Sequence, residues 1–277
     1  MAIGENHLFV LDKLQQTIWI FDREGRYINK IYKKGNGPGE YSQMCQFEYD
    51  PKNNQIVVLS SYQQKLLFYT LEGDYIKTVD LGIKAQDFKI CPEGGFILSK
   101  AGIDDITAGI YHQSDSTKEV RQLVGRQSNH LVYTTPLWEL CSYGDVICFM
   151  APNFNNAVYH YENRQLSIKY PFQMKPDLKH EYKETVSLQH FEDFMRTVYL
   201  ESAKWIYATY WSSVNDLRVF LYSKEQDKYW IGKTMVNDLD DKSTGAMLSV
   251  TDNNIFVSCL SNENTDENPV IAISHLK

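Results

Sequence analysis

The sequence predicts an all-β fold, a six-bladed β-propeller, and three observations lead there. Side chains that suit a pleated, half-buried surface dominate, with 19 tyrosines and 13 phenylalanines against 10 alanines in 277 residues. The apolar residues come in runs of strand length. They are bounded by turn chemistry at Arg23-Glu24-Gly25, Asp50-Pro51-Lys52-Asn53-Asn54, Glu72-Gly73-Asp74, Pro92-Glu93-Gly94-Gly95 and Asp252-Asn253-Asn254. Third, the pattern repeats: Ile18 to Ile31 aligns with Leu66 to Val79, each a strand, a Glu-Gly tip and a second strand, with the tip glycines at Gly25 and Gly73.

The elements follow from that repeat in order. Blade one supplies Leu8 to Leu11, Thr17 to Phe21 and Tyr27 to Ile31, with no inner strand ahead of them. Blade two adds Phe47 to Tyr49 and Gln55 to Leu59 before its hairpin. Weaker copies of the hairpin start at Ile110-Tyr111-His112, at Val158-Tyr159-His160-Tyr161 and at Val219-Phe220-Leu221-Tyr222. Their tips fall near Ser114 to Ser116, Glu162 to Arg164 and Lys224 to Asp227. Strand pairs such as Trp138 to Cys141 with Val146 to Met150 precede them. Four strands in roughly 45 residues is the length of a propeller blade. The last unit offers Leu248 to Thr251, Ile255 to Cys259 and Val270 to His275, and then stops without an outer strand. One domain over 1–277 with incomplete first and last blades is therefore expected. An upstream segment of about 20 to 40 residues, including any export signal, would complete the ring. The spacing breaks once, over Gln173 to Glu201. There Leu188, Phe191, Phe194, Met195 and Val198 recur at helical intervals behind Ser187 as a cap, which predicts a short helical insertion before blade five.

Charge and hydropathy exclude whole classes. With 28 basic against 35 acidic residues, a formal net charge of -7 and no Lys/Arg block, the chain lacks the clustered positive charge that nucleic-acid binding requires. No apolar run approaches the about 18 residues of a membrane-spanning helix, so no transmembrane segment is predicted.

The segment Lys33-Lys34-Gly35-Asn36-Gly37-Pro38-Gly39-Glu40-Tyr41 follows the first hairpin. With that hairpin it resembles the NHL-like six-bladed β-propeller family of exported bacterial proteins, many of uncharacterised function. That family shows a Gly-x-Gly-Pro-Gly-Glu-Tyr loop at this place. Glu201-Ser202 before the aromatic strand Lys204 to Tyr210, and Asn237-Asp238 before the last blade, extend the likeness over nearly the whole chain. The resemblance implies a propeller and an exported, periplasmic or cell-envelope location. It implies no activity, because one propeller architecture hosts many. Read from its own residues, the loop lacks the Gly-Lys-Ser/Thr ending of a nucleotide loop. It is expected to be a structural crossing between blades, tied down by Glu40 and Tyr41.

Aligning the inner strands leaves one polar column between two apolar ones: Glu48, Lys89, Glu139, Tyr199 and Ser249. A hard cation wants six to eight oxygens and little competing positive charge. A lysine between two glutamates points instead to a charge-paired wall or a ligand-binding surface at the channel mouth. No metal, cofactor or catalytic residue is nominated. Asn237-Asp238-Leu239-Asp240-Asp241 reads as a turn, the seven histidines show no zinc-ligand spacing, and there is no Gly-x-Ser-x-Gly elbow. Five cysteines leave an odd thiol. If Gly144-Asp145 makes a two-residue hairpin turn, Cys141 and Cys148 fall opposite each other, and buried free thiols are expected there.

Two functions fit this reading. One is a non-catalytic binding module of the cell envelope, recognising a glycan, peptide or protein on one face of the propeller. The other is a propeller hydrolase or lyase with its site at the central channel mouth.

Overall fold

The computed structural model describes residues 1–100, 107–125, 140–150, 157–171, 196–213, 216–238, 243–245, 247–251, 253–260 and 270–276. Among the described residues every regular element is a strand and no helix occurs. The strands form six antiparallel meanders, three in each of two compact units, Met1–Arg126 and Gln127–Lys277.

The first unit opens with β1 (Ala2–Ile3), β2 (His7–Asp12), β3 (Thr17–Asp22) and β4 (Tyr27–Ile31). Its second sheet is β5 (Gln46–Asp50), β6 (Gln55–Ser60), β7 (Lys65–Thr70) and β8 (Tyr75–Asp80). The third is β9 (Asp87–Ile90), β10 (Phe96–Lys100), β11 (Gly109–Gln113) and β12 (Val120–Gly125). One expectation is corrected here: blade one does have an inner strand. Ala2 pairs with Phe9 and Ile3 with Leu8, and the Gly4 N–H closes the turn on the His7 carbonyl at 2.8 Å. Two residues carry no alternation for a sequence pattern to detect.

The second unit holds β13 (Leu140–Tyr143), β14 (Val146–Met150), β15 (Ala157–Glu162) and β16 (Gln165–Pro171). Next come β17 (Arg196–Glu201), β18 (Trp205–Ser213), β19 (Asp216–Ser223) and β20 (Lys228–Gly232). The last sheet has three described strands, β21 (Met247–Val250), β22 (Ile255–Leu260) and β23 (Val270–His275). Most of the expected helical insertion, with Leu188, Phe191, Phe194 and Met195, lies outside the described residues. Val198, counted in the helical series, is a residue of strand β17. A strand buried on both faces loses its alternation, and a short apolar run then fits either period.

That two-sided burial organises each unit. All six residues of β6 are buried. Ile56 and Val58 pack with Phe9, Ile18 and Ile20 of the first sheet, while Val57 and Leu59 pack with Phe88, Phe96 and Leu98 of the third. Strand β17 repeats the arrangement, Tyr199 joining Cys141, Cys148 and Val158 on one side as Val198 and Leu200 join Met247 and Phe256 on the other. At about 25 cal/mol per Å² of apolar surface removed from water, these interfaces between sheets are the main source of stability.

The Glu-Gly tips have matching geometry. Gly25 and Gly73 sit at φ 82° and 90°, the left-handed region that a Cβ disfavours. The Gly25 N–H donates to the Asp22 carbonyl at 3.1 Å and the Gly73 N–H to that of Thr70 at 3.0 Å. A bulge precedes each tip, at Ile20/Phe21 and at Phe68/Tyr69. On the outer strands β4 and β8, Lys30 places its ammonium 5.3 Å from the centre of the Trp19 ring opposite it, and Lys77 lies 4.7 Å from that of Phe68.

The glycine-proline loop is the expected structural crossing. Tyr41 donates its N–H to the Lys33 carbonyl and accepts from the Gly35 N–H, both at 3.0 Å, and Glu40 Oε2 accepts from the Gly37 N–H at 2.7 Å. The buried Tyr41 hydroxyl accepts from the Lys33 N–H at 3.0 Å and donates to the Gln16 carbonyl at 2.8 Å. Tyr69 donates to the Gly39 carbonyl at 3.0 Å. Two bonds against one predicts an order. Tyr41→Phe should cost about 2 kcal/mol and Tyr69→Phe about 1 kcal/mol, read as shifts of the urea midpoint at unchanged slope.

Candidate functional site

Within the first unit the inner strands β5 and β9 bring Glu48 and Lys89 together. Lys89 Nζ lies 3.4 Å from Glu48 Oε1, and the Ile90 N–H donates to Glu48 Oε2 at 2.9 Å. Burial pushes the Glu48 carboxyl above its ordinary range, only partly opposed by the Lys89 charge and the Ile90 N–H. Of the other column residues, Glu139 lies outside the described residues. Ser249 is half-buried on β21, beyond a bulge, opposite Val257. Tyr199 is enclosed in the interface between the first two sheets of the second unit, and its hydroxyl is directed at Glu201.

One end of the first unit is assembled from turns and crossings. Leu14 lies in the β2–β3 turn and Tyr62 in the β6–β7 turn, while Tyr32 opens the glycine-proline crossing; all three are exposed. The Ser42 N–H donates to Gln63 Oε1 at 3.0 Å and the Leu81 N–H to the Gln64 carbonyl at 2.7 Å, so crossings and turns are held as one surface. Exposed Lys13, Lys33, Lys34 and Lys84 stand among the apolar groups, and Lys84 Nζ sits 4.5 Å from the centre of the Tyr62 ring. On a chain of net charge -7 this is a local basic, aromatic surface.

The second unit holds a buried polar cluster. Cys141, Cys148 and His160 are successive cross-strand partners on β13, β14 and β15, which puts them in one row on one face. The Gly144-Asp145 turn expected from the sequence sets that register, since Tyr143 pairs with Val146. The Cys141 and Cys148 sulfurs lie 3.1 Å apart as free thiols. Facing them from β17 come Tyr199 and Glu201, two residues apart and hence on one side of the strand.

Glu201 is fully buried and accepts from three sides. The Tyr199 hydroxyl donates at 2.5 Å, His160 Nε2 lies 3.0 and 3.1 Å from the two oxygens, and Lys224 Nζ donates at 2.5 Å. Lys224 also donates to the Ser202 carbonyl at 2.7 Å, and its ammonium lies 4.4 Å from the centre of the Tyr143 ring. Ligand atoms of Cys148, His160 and Glu201 all lie within 4.8 Å of one another. Burial acts to raise the Glu201 carboxyl, but the His160 hydrogen bond, the Lys224 charge and the Tyr199 hydroxyl outweigh it and hold the group below its ordinary range. Burial, with Cys141 and Glu201 beside it, drives the Cys148 thiol well up.

Sequence reasoning singled out Cys141, Cys148 and the Glu201-Ser202 pair separately. It missed that His160 and Lys224 join them. The signal was the register, because a hairpin that sets Cys148 opposite Cys141 also sets it opposite His160 once the next turn is placed.

Fold and comparison together define the class, an all-β protein with a six-bladed β-propeller arrangement. The chain resembles the crystal structure of the "Putative exported protein" of Bacteroides fragilis NCTC 9343, with TM-score 0.73 and 19% identity over 94% of this chain and 78% of that one. It also resembles virginiamycin B lyase from Staphylococcus aureus, with TM-score 0.53 and 8% identity over 100% of this chain and 83% of that one. At such identities the likeness concerns the fold alone. Residues 1–274 match the family described as domain of unknown function DUF4934, and the chain belongs to that family. The curated proteins hold no match. Among the described residues no helix is long and apolar enough to cross a membrane.

Removing one partner of a buried ion pair leaves the other charge uncompensated, at about 3–5 kcal/mol. Glu201→Gln should therefore destabilise the protein by about that amount at neutral pH. The folded pKa is depressed, so the carboxylate stabilises the protein above its unfolded pKa, and the contribution disappears as pH falls through the folded value. Melting temperatures measured against pH should show the wild-type advantage over Glu201→Gln closing only below the ordinary carboxylate range.

Proposed function

We propose that this chain is a non-catalytic binding module of the cell envelope. In this reading residues 1–277 act as one six-bladed domain of NHL-like blades, recognising a glycan, peptide or protein on one face. The observation that carries it is the exposed surface of Leu14, Tyr32 and Tyr62 among Lys13, Lys33, Lys34 and Lys84. Exposed rings give flat apolar contact to a sugar or a peptide side chain, and lysines on a rigid framework add attraction for anionic groups. Turns held by hydrogen bonds to neighbouring crossings lose little freedom when a ligand docks. In the first unit the ion-paired Glu48 and Lys89 are assigned to an inner-strand part of the binding surface, and in the second Glu139 and Ser249 are assigned the same role, whereas Tyr199, enclosed between sheets, is not. An envelope location is supported by the likeness to a protein named as exported.

The test is an array of envelope glycans and peptides probed with the purified chain. Tyr62→Ala and Lys84→Ala should each weaken a hit about tenfold, or about 1.4 kcal/mol, with melting unchanged. Lys89→Ala should lower stability by about 1–3 kcal/mol, because Glu48 is left half-buried without its cation. Hits that ignore both surface substitutions, or a bound molecule returned chemically altered, would sink the proposal.

A further inference from the structure

We propose that Cys141, Cys148, His160 and Glu201 form a structural site for one zinc-like divalent cation. This stands independently of the binding reading above. Two thiols, an imidazole and a carboxylate are the donor set that zinc takes in four-coordinate sites. Three of the four come from adjacent strands of one sheet at one level, and the fourth comes from the neighbouring sheet in the same unit.

Three of the four donors already lie close enough for a common centre. Donor atoms at about 2.0–2.3 Å from a tetrahedral metal stand about 3.3–3.8 Å from each other. His160 Nε2 lies 3.0 Å from Glu201 Oε2, the two sulfurs lie 3.1 Å apart, and Cys148, His160 and Glu201 fall within 4.8 Å. Cys141 stands outside that group of three, and its sulfur, already beside that of Cys148, completes the set by side-chain rotation toward His160 and Glu201.

Charge balances as well. Lys224 already neutralises Glu201, and a dication held by two deprotonated thiols adds no net charge to a buried site. The supporting groups are in place. Tyr199 and Lys224 orient the carboxylate, and the rings of Tyr143 and Tyr170 stand edge to face with the imidazole at 6.1 and 5.9 Å. Four protein donors leave no open coordination position, so the metal would pin two sheets together and activate no water.

The experiment uses the full chain, stripped with chelator and kept reduced with a phosphine, then titrated with cobalt(II) and with zinc. Expected are sulfur-to-cobalt charge-transfer bands and the strong visible bands of a tetrahedral centre, saturating at one metal per chain and bleached by zinc. Cys148→Ser and His160→Gln should abolish them, with near-ultraviolet circular dichroism reporting that each variant is folded. Should either fail to fold, zinc-edge X-ray absorption of the wild-type protein decides the question. A shell of two sulfurs and two lighter donors supports the site, and a shell without sulfur overturns it. So do absent charge-transfer bands in the folded wild-type protein, or bands that survive both substitutions.

Discussion

Each internal sheet of this protein must bury both of its faces, and the rest of the architecture answers to that requirement. Strand β6 shows it in its barest form, with alternate residues given to two different cores. A sheet so placed cannot divide its residues into an inner apolar and an outer polar set. Its polar groups must instead be partnered inside an interface or moved to the turns and crossings. The aromatic surplus follows, since large flat side chains fill the gap between two twisted sheets with few residues.

The two units handle their interior polar groups differently. In the first, backbone groups exposed by the crossing are met by Tyr41, Tyr69 and Gln16, all neutral, and the ion pair of Glu48 with Lys89 keeps some contact with water. In the second, a carboxylate is enclosed completely. A fully desolvated Glu201 is tolerable only because hydroxyl, imidazole and ammonium donors converge on it, and those donors come from two strands and a turn. Such convergence fixes how the sheets register more sharply than apolar packing could, because sliding by one residue would strand a charge.

How much of this was legible in the sequence varied with the physics involved. Hairpins announced themselves through glycines at positive φ and through alternating strands, and the Gly25 and Gly73 tips fell where the repeat put them. Strand β1 escaped because two residues make no pattern. Val198 misled because Val-Tyr-Leu between two cores is apolar on every side. The glycine-proline loop was readable as a crossing, down to the roles of Glu40 and Tyr41, because Gly37 and Lys33, which they bind, lie in the same short segment; the Tyr41 bond to Gln16, 25 residues away, was not readable. The Glu201 cluster was not, for the opposite reason. His160 and Glu201 are 41 residues apart, and only two correctly placed registers bring them together.

The lysines that lie over Trp19 and Phe68 have a consequence for solubility. An outermost strand leaves a row of backbone donors and acceptors open to pairing with another chain. Ammonium groups held against the sheet by the rings beneath them put a fixed positive charge along that margin, and a second copy approaching edge to edge meets the same charge. The cation and ring pairs of β4 and β8 therefore keep blades from adding to blades of other molecules, a safeguard suited to a protein made of repeated, mutually compatible sheets.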